Sequence, residues 1–573
     1  MNNASLELGG TNWAEKDGNI LGYSVGDTSG KYSPQEFTFA RGSNLSATRI
    51  DRAGLIVKGR ENLLTYSNDL NNVVWNHTDV ASTGGQSGYD GSNDAWLLNS
   101  SSGGNSLRRD ISVSGINTFS IYAKAGTANG IRIRFDQDTD CNAYIDLTDG
   151  SVFTEGNTLS INVYPISGGW YRISVAMNNI GLNLFRLIVT NGTTITTAGT
   201  IYIQDLQLEQ GLAASPYIES GATNGTAGVL ENTPRLNYTT GVANPYLLLE
   251  PSRTNLITQS EYFGSADWAG SGGVVVNTAI SPSGYQDADT GNNIYTSTGV
   301  GDATTLHANS IFAKANPSGS SILLLRVNRY GSGVDYNECT FNLSNGTASA
   351  VTTGGTASSA SAEIEDYGNG WYRCILTGIA STTAGVISFN PQNNCFIWGA
   401  QVEAGSYPTS YIPTYSVSAT RAADVCNKLD ASDLIGTEFT LFFDGYQSIE
   451  SQYSRYIVLK GTAGTYVNFI SIETNPNNKV GVNVNAGSSV FTATTQRTSG
   501  ERLKMALRCK DNDFAFYING VLIKSQTSGS VPVTSDLYLG YYTDYAENYN
   551  VINQTQIYKE ALTNAELATL TTI

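Results

Sequence analysis

The chain has 573 residues, more than one hydrophobic core accommodates, so three or four domains are expected. Only 14% of residues are charged while glycine (60) and tyrosine (33) abound, a composition suited to short strands and tight turns and unsuited to long solvated helices. With 49 acidic against 32 basic residues the net charge is −17, which argues against gripping nucleic-acid phosphates. No run approaches the ~20 apolar residues that span a bilayer, and Met1 to Ser5 lack the cationic and apolar stretches of a secretion signal.

In chain order, a short N-terminal region, residues 1–59, precedes an internal repeat. The stretch Glu61-Asn62-Leu63-Leu64-Thr65-Tyr66-Ser67 recurs as Thr254-Asn255-Leu256-Ile257-Thr258-Gln259-Ser260, and Trp75 and Trp268 stand 13 residues after the Asn. Phe119 to Lys124 is answered by Asn309 to Lys314, and Gly169-Trp170-Tyr171-Arg172 by Gly370-Trp371-Tyr372-Arg373. Each copy closes alike, Ile201 to Gly211 matching Cys395 to Gly405, followed by Tyr217-Ile218 and Tyr411-Ile412. The unit is far longer than a solenoid repeat, so each copy is expected to own a core. The copies are placed at 60–222 and 252–422, with a linker at 223–251. Ile131, Ile133 and Phe135 alternate with Arg132, Arg134 and Asp136, the period of a sheet with one buried face, and turns such as Thr148-Asp149-Gly150 and Ser344-Asn345-Gly346 punctuate the strands. Such punctuation predicts a β-sandwich.

Residues 423–573 do not match the repeat. Leu503, Met505, Leu507 and Cys509 alternate with Arg502, Lys504, Ala506 and Arg508, and Asn519-Gly520 between apolar runs predicts a type I′ hairpin. Thr563-Asn564-Ala565-Glu566 has capping-box spacing, so a short final helix should set Leu567 and Leu570 on a core.

The pieces Phe37-Thr38-Phe39-Ala40-Arg41-Gly42-Ser43, Ala47-Thr48-Arg49 and Gly54-Leu55-Ile56 resemble an N-terminal signature of tailed-phage structural proteins. Pro234-Arg235-Leu236-Asn237-Tyr238, Leu247-Leu248-Leu249-Glu250-Pro251 and Arg253-Thr254-Asn255-Leu256 resemble it in the same order. The two repeats resemble carbohydrate-binding jelly rolls, and Leu503 to Leu570 is similar to laminin-G-like, concanavalin A-like sandwiches. Together these imply an all-β phage fibre or appendage protein: a virion-attachment region at 1–59, two tandem jelly rolls and a laminin-G-like sandwich. The resemblance further implies location on the virion, a homotrimer held to other virion proteins, and adhesion to host-surface or mucus glycans. A purely structural capsid-decoration or tail-associated role is the alternative, and a polysaccharide depolymerase a more distant one.

Aromatic side chains are the natural sugar platforms, because the apolar face of a pyranose stacks on them while nearby amides take its hydroxyls. Trp75, Trp170, Trp268 and Trp371 recur at matched positions and read as core. Tyr89 and Trp96 in the first copy, and Tyr285 and Trp398 in the second, are taken as differing between copies and are the ligand candidates. The jelly-roll resemblance implies a structural calcium at Asp205, for which the second copy has Gly399; no other cofactor is required. Asp136-Gln137-Asp138-Thr139-Asp140 lacks the glycine and the distal glutamate of an EF-hand loop and reads as a solvated strand end.

His77 and His307 are the only histidines and stand in no catalytic constellation, so no enzyme is expected. Glu209 and Glu403 lie in the closing motif and read as structural. The six cysteines lack CxxC spacing and are expected to be free and buried, with Cys374 and Cys395 standing where the first copy has Ile173 and Ile201.

Overall fold

The computed structural model describes residues 4–25, 32–42, 45–136, 141–156, 158–179, 182–192, 194–195, 198–239, 242–270, 273–446, 454–461, 467–475, 478–498, 500–540 and 549–573. The architecture is all-β, with one short α-helix, Asn564–Leu570, among the described residues. Its N-cap Thr563 and Glu566 form the reciprocal capping box, and Leu567 is buried. Asn519 and Gly520 both take positive φ, as a type I′ turn demands.

Alternation sends every second side chain of the repeat strands into two separate cores. In the first copy one sheet runs Thr158–Ile166, Trp170–Asn179, Gly115–Ala125, Gly199–Gln210, Ala95–Ser100, Val80–Gln86. In the second the order is Ser358–Asp366, Trp371–Ile379, His307–Lys314, Phe396–Ala404, Ala288–Thr290, Val275–Ala279. These are the same strands of the repeat in the same order. The opposing sheets also correspond, Cys141–Asp146, Gly130–Asp136 and Leu182–Asn191 answering Tyr336–Asn342, Ile322–Arg329 and Ile387–Gln392.

The recurring motifs exist because they satisfy backbone that no ladder reaches. Buried Asn62 donates to the carbonyls of Leu206 (3.1 Å) and Ile218 (2.9 Å) and accepts from the amides of Leu64 and Leu208 (3.1 Å each). Asn255 does the same with Ala400 (3.1 Å), Ile412 (2.9 Å), Ile257 and Val402 (3.1 Å each). Gln207 and Gln401 accept from the amides of Ile218 (2.6 Å) and Ile412 (2.7 Å), and each donates to Glu209 or Glu403 two residues on. Those glutamates in turn accept from Ser215 and Thr409, consistent with a structural role. An unmet buried amide or carbonyl costs about 1–3 kcal/mol, so each side chain is fixed by its surroundings.

The remaining strands form a third sandwich, and its membership corrects the domain boundaries expected from sequence. Leu6–Gly9 pairs with Asn550–Tyr558, Leu6 opposite Ile557, and Tyr246–Leu249 pairs with the same strand, Leu248 opposite Val551. Tyr32–Ala40 joins the two sheets, pairing with Asn19–Val25 on one side and Val425–Lys428 on the other. Leu6, Leu8, Phe37, Leu247 and Leu249 share one core with Leu441, Ile457 and Leu507. The region 1–59 and the linker 223–251 therefore supply strands to the C-terminal sandwich, and both jelly rolls are insertions into it. Strand pairing between distant segments leaves no signature in either segment alone, and this is why the sequence reads them as separate.

Where the insertions join, charges are buried together. Arg41 meets Asp424 at 3.2 Å, Arg235 meets Glu250 at 2.5 Å and also contacts Asp424, and Arg421 meets Glu250 at 3.0 Å, all five side chains being at most 1% exposed. Thr409 links the cluster to Glu403, accepting from Arg421 (3.2 Å) and donating to the carboxylate (2.5 Å). Arg41, Arg235 and Glu250 come from the sequence pieces that recur in the same order before each repeat, and here their side chains meet in the interior. A second tie runs through Lys58, 2.7 Å from Glu261 of the second repeat, and Arg60, which pairs with Glu209 of its own repeat at 3.0 Å and lies 4.5 Å over Tyr285 of the second.

Leu8→Ala is expected to destabilise the C-terminal sandwich by about 2–5 kcal/mol. Deletion of residues 1–40 should open the stretch 425–573 to limited proteolysis; an intact, protease-resistant stretch would contradict the shared core. All six cysteines are buried and form no disulfide. They should resist alkylation in the native protein and react fully once it is denatured.

Candidate functional site

In each repeat the six-stranded sheet turns one face inward and presents alternate residues on the other. Register matches these outer faces residue by residue. Arg172 lies between Tyr122 and Tyr164 in the first copy, and Arg373 between Phe312 and Glu365 in the second. One step along, Asn162 opposite Ser174 corresponds to Glu363 opposite Ile375.

The first face is open. Tyr164 is 53% exposed. Tyr89 stacks on Tyr122 with centroids 3.6 Å apart and planes 6° apart, Trp170 meets Tyr89 edge-on at 6.4 Å, and the Arg172 guanidinium lies 5.6 Å over Tyr122. The Tyr89 hydroxyl donates to Asp205 at 3.0 Å. Burial, opposed by that hydrogen bond and reinforced by Asp94 and Asp90, pushes the Asp205 pKa up to about 6.

The second face is roofed. Thr48, Arg49 and Ile56 from the N-terminal strands, Tyr246 and Glu250 from the former linker, and Tyr407 and Tyr549 close it into a cavity of about 590 Å³. Tyr407 and Tyr549 meet edge-on at 5.6 Å. Arg373 donates to Ser310 (3.3 and 3.1 Å) and lies 5.5 Å over Phe312. Burial opposes its charge, yet Tyr367, Glu365 and Glu403 outweigh it and raise its pKa. Burial likewise raises the Glu365 carboxyl, with Arg373 pulling the other way. Tyr246 is pushed up to about 12 by burial, against a hydrogen bond from Asn237.

The sequence candidates are distributed unevenly. Tyr89 is on the first face. Trp96 is 9% exposed, packs in the first core and donates to the Asn68 carbonyl at 3.1 Å, so it offers no platform. Trp398 is 0% exposed, 4.6 Å from Tyr411 and 5.5 Å from the Lys58 ammonium, and offers none either. Tyr285 lies under Arg60 at 4.5 Å, at the junction of the repeats.

Tyr89 and Tyr285 are also not residues that differ between copies. Trp96 faces Ile203 and Asp289 faces Ile397, which places both tyrosines in the loop before the matched strands. The first loop has four residues between Tyr89 and Asp94, the second only Gln286 between Tyr285 and Asp287. Trp398 occupies the position of Gln204, which bonds Asp94 at 2.7 Å in the longer loop.

Asp205 stands at a β-bulge with φ 57°, as does Gly399 with φ 64°, so the matched position is dictated by backbone shape. Calcium needs several converging oxygens, and no group of three or more His, Cys, Asp or Glu side chains is arranged to hold a metal among the described residues. Asp205, engaged by a tyrosine hydroxyl, does not fit that requirement. Of the run Asp136 to Asp140, residues 137–140 lie outside the described residues; Asp136 pairs with Arg186 at 2.7 Å.

Sequence reasoning missed Tyr164, Arg172, Glu363 and Glu365. Strand parity held the signal: Ile161 and Val163 pack on the first core, which sends Asn162 and Tyr164 outward.

No protein-family model matches the sequence, and no curated protein does. Among solved structures the chain is similar to the IT-sialidase CBM40 of Ruminococcus gnavus bound to α2,3-sialyllactose, with 16% identity over 25% of this chain and 91% of that one, at a TM-score of 0.23. It is similar to domains LG4–5 of the mouse laminin α1 chain, with 10% identity over 56% and 91%, at 0.19. It is also similar to the CBM22-1–CBM22-2 tandem of Paenibacillus barcinonensis Xyn10C, with 10% identity over 60% and 97%, at 0.20. Scores of this size carry no weight for ligand or activity.

Glu250, in the cavity wall, is held at about 2 against an ordinary 4.5; burial opposes this, but Arg421 and Arg235 prevail. A depressed carboxyl stabilises the fold above its unfolded pKa and loses that contribution as pH falls through the folded one. Stability should therefore decline between pH 4.5 and about 2, and Glu250→Gln should flatten that part of the acid limb in denaturation curves.

Proposed function

We propose that this chain is a glycan-binding adhesion subunit of a tailed-phage particle, built as a homotrimer and held by other virion proteins. The observation that carries the binding part is the first repeat's outer face. It joins an exposed Tyr164 to the stacked Tyr89–Tyr122 pair and Arg172, giving flat apolar surface beside hydrogen-bond donors. The matched face of the second repeat, closed into a tyrosine-rich cavity, supplies a second place for a polyhydroxylated ligand. Two weak sites on one chain raise overall avidity through effective concentration. The virion part is supported by the ordered signature pieces from Phe37 to Leu256.

A purely structural role is favoured by one feature, Val152 and Phe153, 42% and 49% exposed on the edge strand Val152–Gly156, which suit packing against a neighbour.

Purified protein is expected to bind immobilised host capsule or mucin reversibly and to leave the polymer's length unchanged. Tyr164→Ala should weaken binding about fivefold or more, the loss of one aromatic platform. Polymer shortening would contradict the reading, as would binding indifferent to this substitution, or the absence of binding to every glycan tried.

A further inference from the structure

We infer that the roofed face of the second repeat accepts uncharged or amine-bearing glycans and rejects carboxylated ones; this rests on the glycan-binding reading above. The two outer faces share strands and register, so their differences isolate what each selects. On the strand Ser358–Asp366, Glu363 and Glu365 stand where the first copy has Asn162 and Tyr164. Period-two geometry points both carboxylates the same way, and both line the cavity with Asp366.

The cavity's cations offset them only in part: Arg373 faces Glu365 across the strand pair and pulls against its burial, which leaves Glu363 and Asp366 to face an incoming ligand. Arg373 is 3% exposed and already engaged by Ser310 and the Phe312 ring. Arg49 donates to the Leu236 carbonyl at 3.3 Å. Glu250 is taken up by Arg235 and Arg421, whereas no ion pair reaches Glu363 or Asp366 from the described residues. A further carboxylate brought into this partly desolvated space meets like charge at close range, while an ammonium meets the opposite. The first face carries Asn162 and Tyr164 at the matched positions, so this pair of carboxylates is peculiar to the second repeat.

The test uses the full chain on a panel of oligosaccharides grouped as neutral, amine-bearing and carboxylated, with Tyr164→Ala to reduce the first site. In that background neutral and amine-bearing glycans should remain bound, and carboxylated ones should bind at least about tenfold more weakly. Adding Glu363→Gln and Glu365→Gln should weaken the amine-bearing group relative to the neutral one and admit carboxylated glycans. The single Glu363→Gln, at an exposed position, should shift binding the same way and guards against a folding defect in the double variant. Equal binding of carboxylated and neutral glycans in the Tyr164→Ala chain, or loss of all binding in it while the wild type binds, would overturn the inference and leave the adhesion reading standing. A wild-type chain that binds no glycan would overturn both.

Discussion

The buried cluster of Arg41, Arg235 and Arg421 with Asp424 and Glu250 is the constraint on which the rest of the structure depends. Removing five charges from water is costly, and the cluster persists because each charge is paired and hydrogen-bonded within it. Its members come from segments as much as 383 positions apart, so it can form only when the N-terminal strands, the former linker and the end of the second repeat have converged. Burying an arginine without its carboxylate would be far worse than burying neither, and the cluster thereby sets one arrangement of the three sandwiches apart from others of similar apolar burial.

That arrangement decides which sheet face is open. Glu250 holds Ser410 through its amide (2.7 Å) and hydroxyl (2.6 Å), and Thr48 donates to the Tyr411 carbonyl at 2.7 Å. These bonds draw the N-terminal strands across the second repeat and make a cavity of its outer face. The first repeat, joined along residues 58–60 and where Gly115 and Gly211 lie against Tyr415, keeps its face clear. Two copies of one topology thus offer a surface and a pocket without any change in strand order.

Divergence between the copies follows the same division. Asn62 and Asn255, Gln207 and Gln401, and Glu209 and Glu403 are bound to backbone on several sides and stayed the same. Positions facing outward or filling loop-dependent space changed: Tyr164 to Glu365, Gln204 to Trp398, Trp96 to Asp289. Asp289 in a core position accepts amides from Phe263 (2.9 Å) and Asn277 (2.8 Å), and burial pushes its pKa up to about 8.

The sequence by itself determined the strands, the repeat, its shared topology, the Asn-Gly turn, the capping box and the buried cysteines, because each depends on alternation or on side chains close together in the chain or matched between copies. Only the tertiary structure decided that strands from 1–59 and 223–251 pair into the C-terminal sandwich, and that Arg41, Arg235 and Arg421 face inward. The candidate site divides likewise: Tyr89, Trp96 and Trp398 looked alike in sequence, yet Tyr89 stands on the open face while Trp96 and Trp398 are buried. Whether an aromatic binds or packs depends on what covers it. That cover comes from strands hundreds of residues away, paired through backbone hydrogen bonds that are indifferent to side-chain identity.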